Sequence, residues 1–596
     1  MPHAAAAFLA SAAQVARPPL DGTHRAAIRP RARYSILKLE TIRPDSLLNH
    51  SRSSRLPNPA GLVALILALW TVLTTIAVTI AASSDMPYED EWDIWRTIAK
   101  QGYSLTWFFS QNNDHRIVTT RLLFVLDRLA FHGQGWFPRA VSLVVQAVFV
   151  LLLWRLARRA ANADPADSRV LGAAIACCLF SAQQAINFMW GFQVQFFLVY
   201  AAGAAALAAL LRAADSAHPT VRRAWTAAAL LLAVLGSYSM ANGVLIWPLL
   251  LLAAVRLRLS RAAICVLGLG GVAVFVQYLH GWHTAPLDAP APLWRIVLFA
   301  FAHAGSPIVT LVYALGAGPP QAGPAATLIG GLLMVYTAAQ WLLIWRYRSR
   351  YSGAQVVMVH LAVYVAAASF AISVGRAHLP LIEAFRSRYI TPPYILWACL
   401  LAVAWPSLRA LTPNWIRWAI VAALLLGIVP YQAARLGGAR GYAAELRQAS
   451  VALAVGVNDP AVVEDLLRPD SDSTTVAYMK AHGLAIFHAE WTTWAGQPLT
   501  ARFQIRADAA SCAGAIREAV PIAGTSRPGW RVSGWARGAK QIVLADAQGA
   551  IAGVALANAG DWSGYARPGS AGITAYAVEP DGKSLCALGT TTLGPR

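Results

Sequence analysis

Charged residues are scarce in this sequence. They make up 13% of its 596 residues, whereas hydrophobic residues make up 57% and the mean hydropathy is +0.49. Soluble globular domains typically carry about 25% charged residues. The shortage therefore excludes an ordinary soluble domain and indicates a protein that crosses the membrane many times.

Eleven mostly apolar runs are near the roughly 20 residues that a helix needs to cross the bilayer, and the shorter ones fit inside a bundle. We therefore predict a mainly α-helical polytopic membrane bundle of about eleven spans. The runs are Gly61–Ala82, Ala140–Leu156, Val170–Ile186, Phe196–Leu211, Trp225–Tyr238, Gly243–Val255, Ala262–Leu279, Thr327–Trp345, Val356–Val374, Ile390–Trp405 and Trp415–Tyr431.

Acidic residues are also few, 28 against 49 Lys and Arg, which gives a formal net charge of +21. The basic residues cluster between the apolar runs, in "RLARR" from Arg155, "RLRLSR" from Arg256 and "RYRSR" from Arg346. Cytoplasmic loops of membrane proteins carry such an excess, where it faces anionic membrane lipids. The pattern predicts membrane lipids and no nucleic acid as partners.

Placing the basic loops inside gives a cytoplasmic N-terminal tail, residues 1–58, and an outer loop, residues 83–137. The apolar stretch 293–316 is long enough to span, but counting it would move "RYRSR" to the outer side. We predict a pair of short helices there, broken at Gly305 to Pro307 and lying near the outer face. The membrane domain is then 59–431, with everything after it outside.

Cysteine divides the chain into two parts. Four of the six cysteines lie within apolar runs, where a cysteine usually serves as a small packing residue. Cys512 and Cys586 flank a region whose alternation and Gly, Asp-Gly and Pro punctuation predict short antiparallel strands. We predict a helical connector at 432–499 and a small β-sandwich-like domain at 500–596, in which an oxidising compartment allows these two cysteines to pair.

An acidic cluster follows the first apolar run, in "SSDMPYEDEWDIW". Helix capping explains two acids at such a start but not four, because carboxylates this close repel one another unless a cation or substrate compensates. Trp92 and Trp95 are predicted to face the membrane interface, where tryptophan is favoured. The four carboxylates are Glu89, Asp90, Glu91 and Asp93.

Two further constellations fall in predicted outer loops. "SQNNDHRIVTT" is consistent with a solvated helix start, but its crowded polar residues also suit sugar hydroxyls and phosphate. "SVGRAHLPLIEAFRSRYITPP" breaks the positive-inside tendency, and phosphate binding by guanidinium forks is the simplest reason; the alternative is a basic cytoplasmic loop and a wrong topology. The candidates are Asn113, Asp114, His115 and Arg116 in the first, and Arg376, His378, Arg386, Arg388 and Tyr389 in the second.

"PYEDEWDIW", "NNDHRIVTTRLLFVLDRL" and "RSRY" resemble motifs of bacterial membrane proteins in the GT-C superfamily of polyprenyl-phosphate-dependent glycosyltransferases. The resemblance covers roughly Gly61 to Tyr431. It implies sugar transfer from a polyprenyl-phosphate donor to a glycan or lipid acceptor at the outer face of the bacterial cytoplasmic membrane. It also implies a catalytic carboxylate, Asp90 first and Glu91 second, acting as general base.

Some relatives use a divalent metal with a second acidic motif. Here "NFMWGFQVQF" offers only amides, so no cofactor is assigned and a divalent metal stays possible. The alternative function is a flippase or transporter of lipid-linked saccharides. Transporters keep ionisable residues within spans, whereas these spans are almost free of charge apart from His360, which is better explained by packing. A non-catalytic surface anchor would leave the acidic cluster unexplained.

Overall fold

The structure is a computed structural model, and it describes residues 59–283, 291–411, 413–462, 473–506, 512–558, 560–569 and 572–593. The predicted N-terminal tail, residues 1–58, lies outside this range. Eighteen α-helices and eight strands are described, with short 3₁₀ turns between several helices.

The helices precede the strands along the chain, which matches the predicted division. The helices are α1 (Pro59–Ala81), α2 (Glu91–Gln101), α3 (Leu105–Phe109), α4 (Val118–Phe131), α5 (Trp136–Ala160), α6 (Pro165–Leu179), α7 (Ala185–Met189), α8 (Val194–Asp215), α9 (Pro219–Ser237), α10 (Ile246–Arg256), α11 (Arg261–Leu279), α12 (Leu293–Ala304), α13 (Val309–Ala314), α14 (Pro319–Arg346), α15 (Gly353–Arg376), α16 (Thr391–Leu411), α17 (Pro413–Val455) and α18 (Ser473–Ala481).

Nine helical segments of the described chain are long and apolar enough to cross a membrane, and the count is ten if one bent pair forms a single span. This confirms the predicted membrane bundle. Two of the eleven predicted crossings, α9 and the short helix Ala241–Arg256, do not meet these criteria. The bent pair is Leu293–Ala304 with Ser306–Ala314, and its 49° bend falls at Gly305, where a break was predicted.

Local sequence explains where several helices begin. Asp164 accepts the N–H groups of Ala166 and Asp167 at the start of α6, and Pro165 takes the first helical position. Ser352 and Gln355 form a capping box at the start of α15. These polar caps fix the point at which each apolar segment leaves its loop.

The last span continues without interruption into the predicted connector. Helix α17 has 43 residues, so it is about 65 Å long and much longer than a bilayer is thick. Its final turns, from Leu446 to Val455, pack in one hydrophobic core with Trp92, Trp95 and strand residues such as Val543. The helix therefore ties the bundle to the C-terminal domain.

The C-terminal strands form one sheet in the order β1-β8-β7-β4-β5-β6-β3-β2. All neighbours are antiparallel except β1 and β8. The sheet curls, because the Leu588 side chain of β8 lies against Gly514 of β2. The predicted sandwich would instead have two stacked sheets. The strands are β1 (Gln504–Ile505), β2 (Gly514–Ile522), β3 (Gly529–Ala536), β4 (Gln541–Asp546), β5 (Ile551–Asn558), β6 (Asp561–Ala566), β7 (Gly572–Val578) and β8 (Ser584–Thr592).

The structure joins Cys512 to Cys586, with a Cα–Cα separation of 5.7 Å. The predicted disulfide is thereby confirmed, and it links the segment before β2 to β8. Cys177 and Cys399 are buried free thiols within spans. His360 is also buried, and its Nδ1 lies 2.8 Å from the Val356 carbonyl oxygen, as expected for a packed histidine.

Candidate functional site

One end of the bundle carries the basic loops. Arg159 at the end of α5 pairs with Asp215 at the end of α8, with 2.8 Å between Nη2 and Oδ2. Arg256 at the end of α10 donates to the Ile344 and Arg348 carbonyl oxygens at 2.7 and 2.8 Å. We call this the basic end.

The opposite end brings together the three predicted constellations, and we call it the loop end. Arg116, in the loop before α4, donates to the Tyr278 carbonyl oxygen at the end of α11. Asn187 donates to the Arg388 carbonyl oxygen at 3.2 Å. Helices α9 and Ala241–Arg256 reach this end as well, because Thr119 contacts the Tyr238 carbonyl oxygen and the Ser239 hydroxyl in the turn between them.

Glu91 is the most buried carboxylate of the acidic cluster, with 4% of its surface exposed. Its Oε2 accepts the Tyr88 N–H at 3.0 Å and its Oε1 accepts the Phe192 N–H at 3.2 Å. Burial raises the pKa of Glu91 to about 7, although the nearby Arg139 charge and these two hydrogen bonds act in the opposite direction. The side chain anchors the start of α2 against the segment before α8.

The other three carboxylates of the cluster are more accessible. Asp90 is half-buried at the N-cap position of α2, and its side chain forms no capping hydrogen bond. Glu89 has a left-handed backbone, with φ 51°, and is also half-buried. Asp93 pairs with Arg96 one turn later at 2.8 Å. Glu89, Asp90 and Asp93 are thus more accessible to a substrate than Glu91.

The predicted interfacial role of Trp92 and Trp95 is wrong. Each is 1% exposed and packs in the core shared by the outer loop, the connector and the β-sheet. The reason is that the loop is covered by the C-terminal part of the chain, which the sequence analysis left separate from it. Burial of these rings fixes α2 rigidly and so orients the carboxylates at its N-terminus.

Sequence reasoning missed three charged residues behind the acidic cluster. Arg139 is 4% exposed, donates to the Ser84 and Gln134 carbonyl oxygens, and leaves Nε and Nη1 without a partner among the described residues. Asp127 is fully buried and accepts the Gly135 and Phe137 N–H groups. Burial raises the pKa of Asp127 and of Asp85, while Arg139 opposes both shifts. The sequence feature that could have indicated this burial is a charged residue inside an apolar run, as in "WFPRAV".

A cavity of about 20 Å³ lies beside Glu91 and Arg139 and is also lined by Tyr88, Trp190 and Tyr442 among others. This volume suits about one water molecule and no larger ligand. The buried Glu91 carboxylate and Arg139 guanidinium therefore face a space too small for a substrate.

The second constellation is divided between exposed and structural residues. Asn113, with φ 48°, and Asp114 are exposed. Arg116 is 6% exposed, and its guanidinium donates to the carbonyl oxygens of Tyr278, His280 and Phe109, so its donors are used within the protein. Burial lowers the pKa of His115, with a smaller contribution from the Arg376 charge, which places this imidazole beside the third constellation.

The third constellation is organised around Tyr389, which is 7% exposed. The guanidinium carbons of Arg388 and Arg376 lie 5.0 and 5.7 Å from the centre of its ring. Arg388 Nε is buried without a partner among the described residues. The charge of Arg388 also acts on Tyr88, whose pKa is raised chiefly by burial and to a lesser extent by Glu89. The acidic loop, residues 83–95, and the arginine loop, residues 373–393, are therefore neighbours.

The remaining two predicted residues of this loop lie further out. Arg386 is exposed and forms a fork with the Glu383 carboxylate, with nitrogen–oxygen distances of 2.7 to 3.0 Å. His378 is exposed, and its carbonyl oxygen lies 3.4 Å from Arg295 Nη2. Arg376 and Arg388 thus lie over the buried Tyr389 ring, whereas Arg386 and His378 are exposed.

A buried amide segment supports the arginine loop and was missed as a site feature. Asn187 donates to the Arg388 carbonyl oxygen and to Thr391 Oγ1, and Thr391 donates to Gln184 Oε1 at 2.7 Å. Ser387 accepts the Ile186 N–H. Polar side chains within an apolar run, in "SAQQAIN", were the available signal.

Among the described residues, one group of three His, Cys, Asp or Glu side chains is close enough to hold a metal ion. It consists of Cys512, Glu579 and Cys586, and its two sulfurs are joined to each other. Within the described part of the chain, the acidic cluster at the loop end does not form such a group.

No family model matches the sequence, and no curated protein is significantly similar to it. Among solved structures, the crystal structure of ArnT from Cupriavidus metallidurans in the apo state is similar to this chain. The identity is 15%, the alignment covers 70% of this chain and 84% of ArnT, and the TM-score is 0.37.

Proposed function

We propose that the protein is a membrane glycosyltransferase that moves a sugar from a polyprenyl-phosphate donor to an acceptor hydroxyl. The observation that carries the proposal is the meeting of the acidic loop and the arginine loop at one end of the bundle. The Asn187 side chain donates to the Arg388 carbonyl oxygen at 3.2 Å, and Glu91 accepts the N–H of Phe192 at 3.2 Å, so the two loops contact the same short segment of the chain. A base and a phosphate-binding cation set are the two elements that this reaction needs.

Asp90 is the proposed general base, with Glu91 as the second choice. The Asp90 carboxylate takes the proton of the acceptor hydroxyl. At the same time, the hydroxyl oxygen of the acceptor forms a bond to the anomeric carbon of the donor sugar. The bond from that carbon to the donor phosphate breaks, and the phosphate leaves with the electron pair. The half-buried Asp90 is better placed for this role than Glu91, whose two oxygens already accept backbone N–H groups.

Arg376 and Arg388 are the proposed ligands of the donor phosphate. Both lie over the Tyr389 ring, which restricts their motion, and Arg388 keeps an unpartnered Nε. A guanidinium matches phosphate oxygens as a fork and needs no proton transfer to neutralise the leaving group. Arg386 and His378 are assigned to the outer edge, and Asn113, Asp114 and His115 to the sugar or acceptor side.

The proposed location is the outer face of a bacterial inner membrane, with the basic end in the cytoplasm. A donor held by its phosphate at the loop end keeps its polyprenyl chain in the outer leaflet. The acceptor is then a glycan or lipid of the cell surface. In this arrangement the β-domain lies outside, where its disulfide is stable.

A transporter of lipid-linked saccharides is the second candidate. The observation that favours it is the interrupted backbone within the bundle, at the bent pair α12 and α13 and at the amide-rich break between α6 and α8. A transporter moves its substrate between leaflets without breaking the bond from sugar to phosphate. Chemistry in detergent, where no leaflets exist, therefore separates the two functions.

The test is incubation of the purified, detergent-solubilised protein with radiolabelled polyprenyl-phosphate sugars. Transfer or hydrolysis that requires Asp90 supports the proposal. A protein that leaves every donor intact, yet accelerates movement of a lipid-linked sugar across reconstituted vesicles, is a transporter and contradicts it.

A further inference from the structure

A second polar site lies at the basic end, away from the loop end and independent of the proposed function. It is an open pocket of about 810 Å³ between the ends of α8, α10 and α14 and the start of α15. Neither the acidic loop nor the arginine loop contributes to it. Four arginines line it: Arg256, Arg258, Arg346 and Arg348.

The positive charge of this pocket is not balanced by the protein. Asp215 is its one acidic lining residue, and that carboxylate pairs with Arg159 at 2.8 Å. Within the described chain, no ion pair involves Arg258, Arg346 or Arg348, and all three are exposed. Arg348 and Arg258 each lie close enough to Arg256 for their charges to repel it. Such a cluster is stabilised by an anionic ligand.

Aromatic rings hold two of these arginines in place. The guanidinium carbon of Arg346 lies 5.1 Å from the centre of the Tyr347 ring, and that of Arg348 lies 5.6 Å from the Trp345 ring. A guanidinium stacked on a ring face keeps its N–H groups, which lie in its own plane, available to a ligand. The Ser349 hydroxyl lines the same pocket.

The pocket opens next to surface that faces lipid. Leu342, one turn before Arg346 on α14, is 63% exposed, and Val335, two turns before Leu342 on the same helix, is 64% exposed. Residues three or four apart lie on the same face of a helix. A ligand whose charged part occupies the pocket can therefore lay apolar chains along these side chains.

We propose that this pocket binds the phosphate headgroup of an anionic phospholipid in the leaflet at the basic end. The arginine forks supply the donors for the phosphate oxygens, and the exposed apolar side chains receive the acyl chains. The lipid is favoured over a soluble phosphate compound because the charged lining continues directly into the lipid-facing surface.

The experiment measures binding of fluorescent phosphatidylglycerol to the delipidated full-length protein in neutral detergent. The variant R346Q/R348Q should bind at least about tenfold more weakly than wild type, because two charge-assisted contacts are lost. The matched control is R155Q/R158Q, which removes the same charge at the same end but outside the pocket, and it should bind as wild type does. Equal weakening in both variants would indicate a general surface-charge effect and overturn the proposal.

Competition identifies the source of the phosphate. Inorganic phosphate and glycerol 3-phosphate should displace the lipid only weakly, since neither fills the apolar part of the site. Displacement by either compound as effective as by unlabelled phosphatidylglycerol would assign the pocket to a soluble phosphate and overturn the lipid proposal.

Wild-type protein supplies a measurement that does not depend on the folding of a variant. Native mass spectrometry of protein taken from nanodiscs of equal phosphatidylcholine and phosphatidylglycerol content should show preferential retention of phosphatidylglycerol. Equal retention of the two lipids would contradict the proposal.

Discussion

Glu91 Oε1 accepts the backbone N–H of Phe192 at 3.2 Å, across 101 residues of sequence. This bond joins the first outer loop to the segment that precedes α8. The same carboxylate accepts the Tyr88 N–H through its other oxygen. The buried Glu91 side chain thus fixes the first turn of α2 and holds this helix against the bundle. Asp90, at the N-cap of α2, is positioned by the same contacts.

The first prediction concerns the pH dependence of stability. The folded-state pKa of Glu91 is raised from 4.5 to about 7, so folding favours its protonated form. Its contribution to stability is fully present below about pH 4.5 and is lost as the pH rises through about 7. We expect the melting temperature of Glu91→Gln to fall less than that of wild type across this window, because glutamine does not ionise.

Asp85 and Asp127 also have raised pKa values. The decrease of melting temperature with pH should therefore be smaller in Glu91→Gln than in wild type, but it should not disappear. Glu518→Gln, an exposed change on β2, is the control and should leave the profile unchanged. Melting is followed by tryptophan fluorescence in detergent. Identical slopes for wild type and Glu91→Gln would show that Glu91 keeps an ordinary pKa.

The second prediction is that Asp90→Asn abolishes sugar transfer while the protein still folds. Asparagine keeps the shape of the side chain and removes the base, and loss of a positioned base typically costs about 10²–10⁴-fold in rate. The measurement is transfer from a radiolabelled donor. Asp561→Asn, an exposed acid of the β-domain paired with Arg517, is the control and should be fully active. Near-normal turnover of Asp90→Asn would shift the assignment to Glu91.

The third prediction ranks the arginines of the late loop. Arg388→Ala should weaken donor binding by about tenfold or more, and Arg388→Lys should recover only part of it, because an ammonium lacks the planar fork. Arg386→Ala should have a smaller effect, since Arg386 already pairs with Glu383. Binding is measured with a labelled polyprenyl-phosphate sugar.

Arg435→Ala is a matched control for Arg388→Ala. Arg435 also lies over a tyrosine ring, 5.2 Å from the centre of Tyr431, but it belongs to α17 and not to the arginine loop. It should bind donor as wild type does. If Arg386→Ala proved more harmful than Arg388→Ala, the proposed phosphate site would have to move outward to Glu383.

Apolar runs were enough to predict the bundle, because hydrocarbon demands long apolar helices whatever their packing. Glycine and proline located the break at Gly305, and alternation with turn residues predicted the strands from "GWRVSGWA" onwards. The grouping of the acidic and arginine loops also followed from topology, since alternating crossings bring alternate loops to one end. These features depend on local sequence and on the order of the crossings.

Features set by long-range packing could not be predicted. The local sequence of Trp92 and Trp95 is typical of interfacial residues, but in the structure the connector and the sheet cover both rings. Nothing near Arg116 in the sequence indicates that its donors are used by carbonyl oxygens of residues 278 and 280. Arg139 and Asp127 are buried behind the acidic cluster by the same assembly of distant segments.

The fourth prediction concerns the C-terminal domain. Thiol labelling of the denatured, non-reduced protein should modify four cysteines, Cys177, Cys178, Cys265 and Cys399, and six after reduction. Replacing both Cys512 and Cys586 with serine should destabilise the domain by up to about 4 kcal/mol on the chain-entropy account, because a long loop is no longer closed in the unfolded state. Labelling of six thiols without reduction would contradict the bridge and weaken the outer placement of this domain.

The fifth prediction tests the sidedness on which the site depends. His378 is exposed at the loop end and Ser349 is exposed at the basic end. In a background without the free native cysteines, His378→Cys should react with a membrane-impermeant maleimide added to intact spheroplasts, whereas Ser349→Cys should react only after the membrane is opened. The two positions differ because a single membrane crossing, that of α15, separates Ser349 from His378. Labelling of Ser349→Cys alone in intact spheroplasts would show that the protein has the opposite orientation in the membrane. Asp90 and the arginine loop would then lie in the cytoplasm, away from a donor at the outer face.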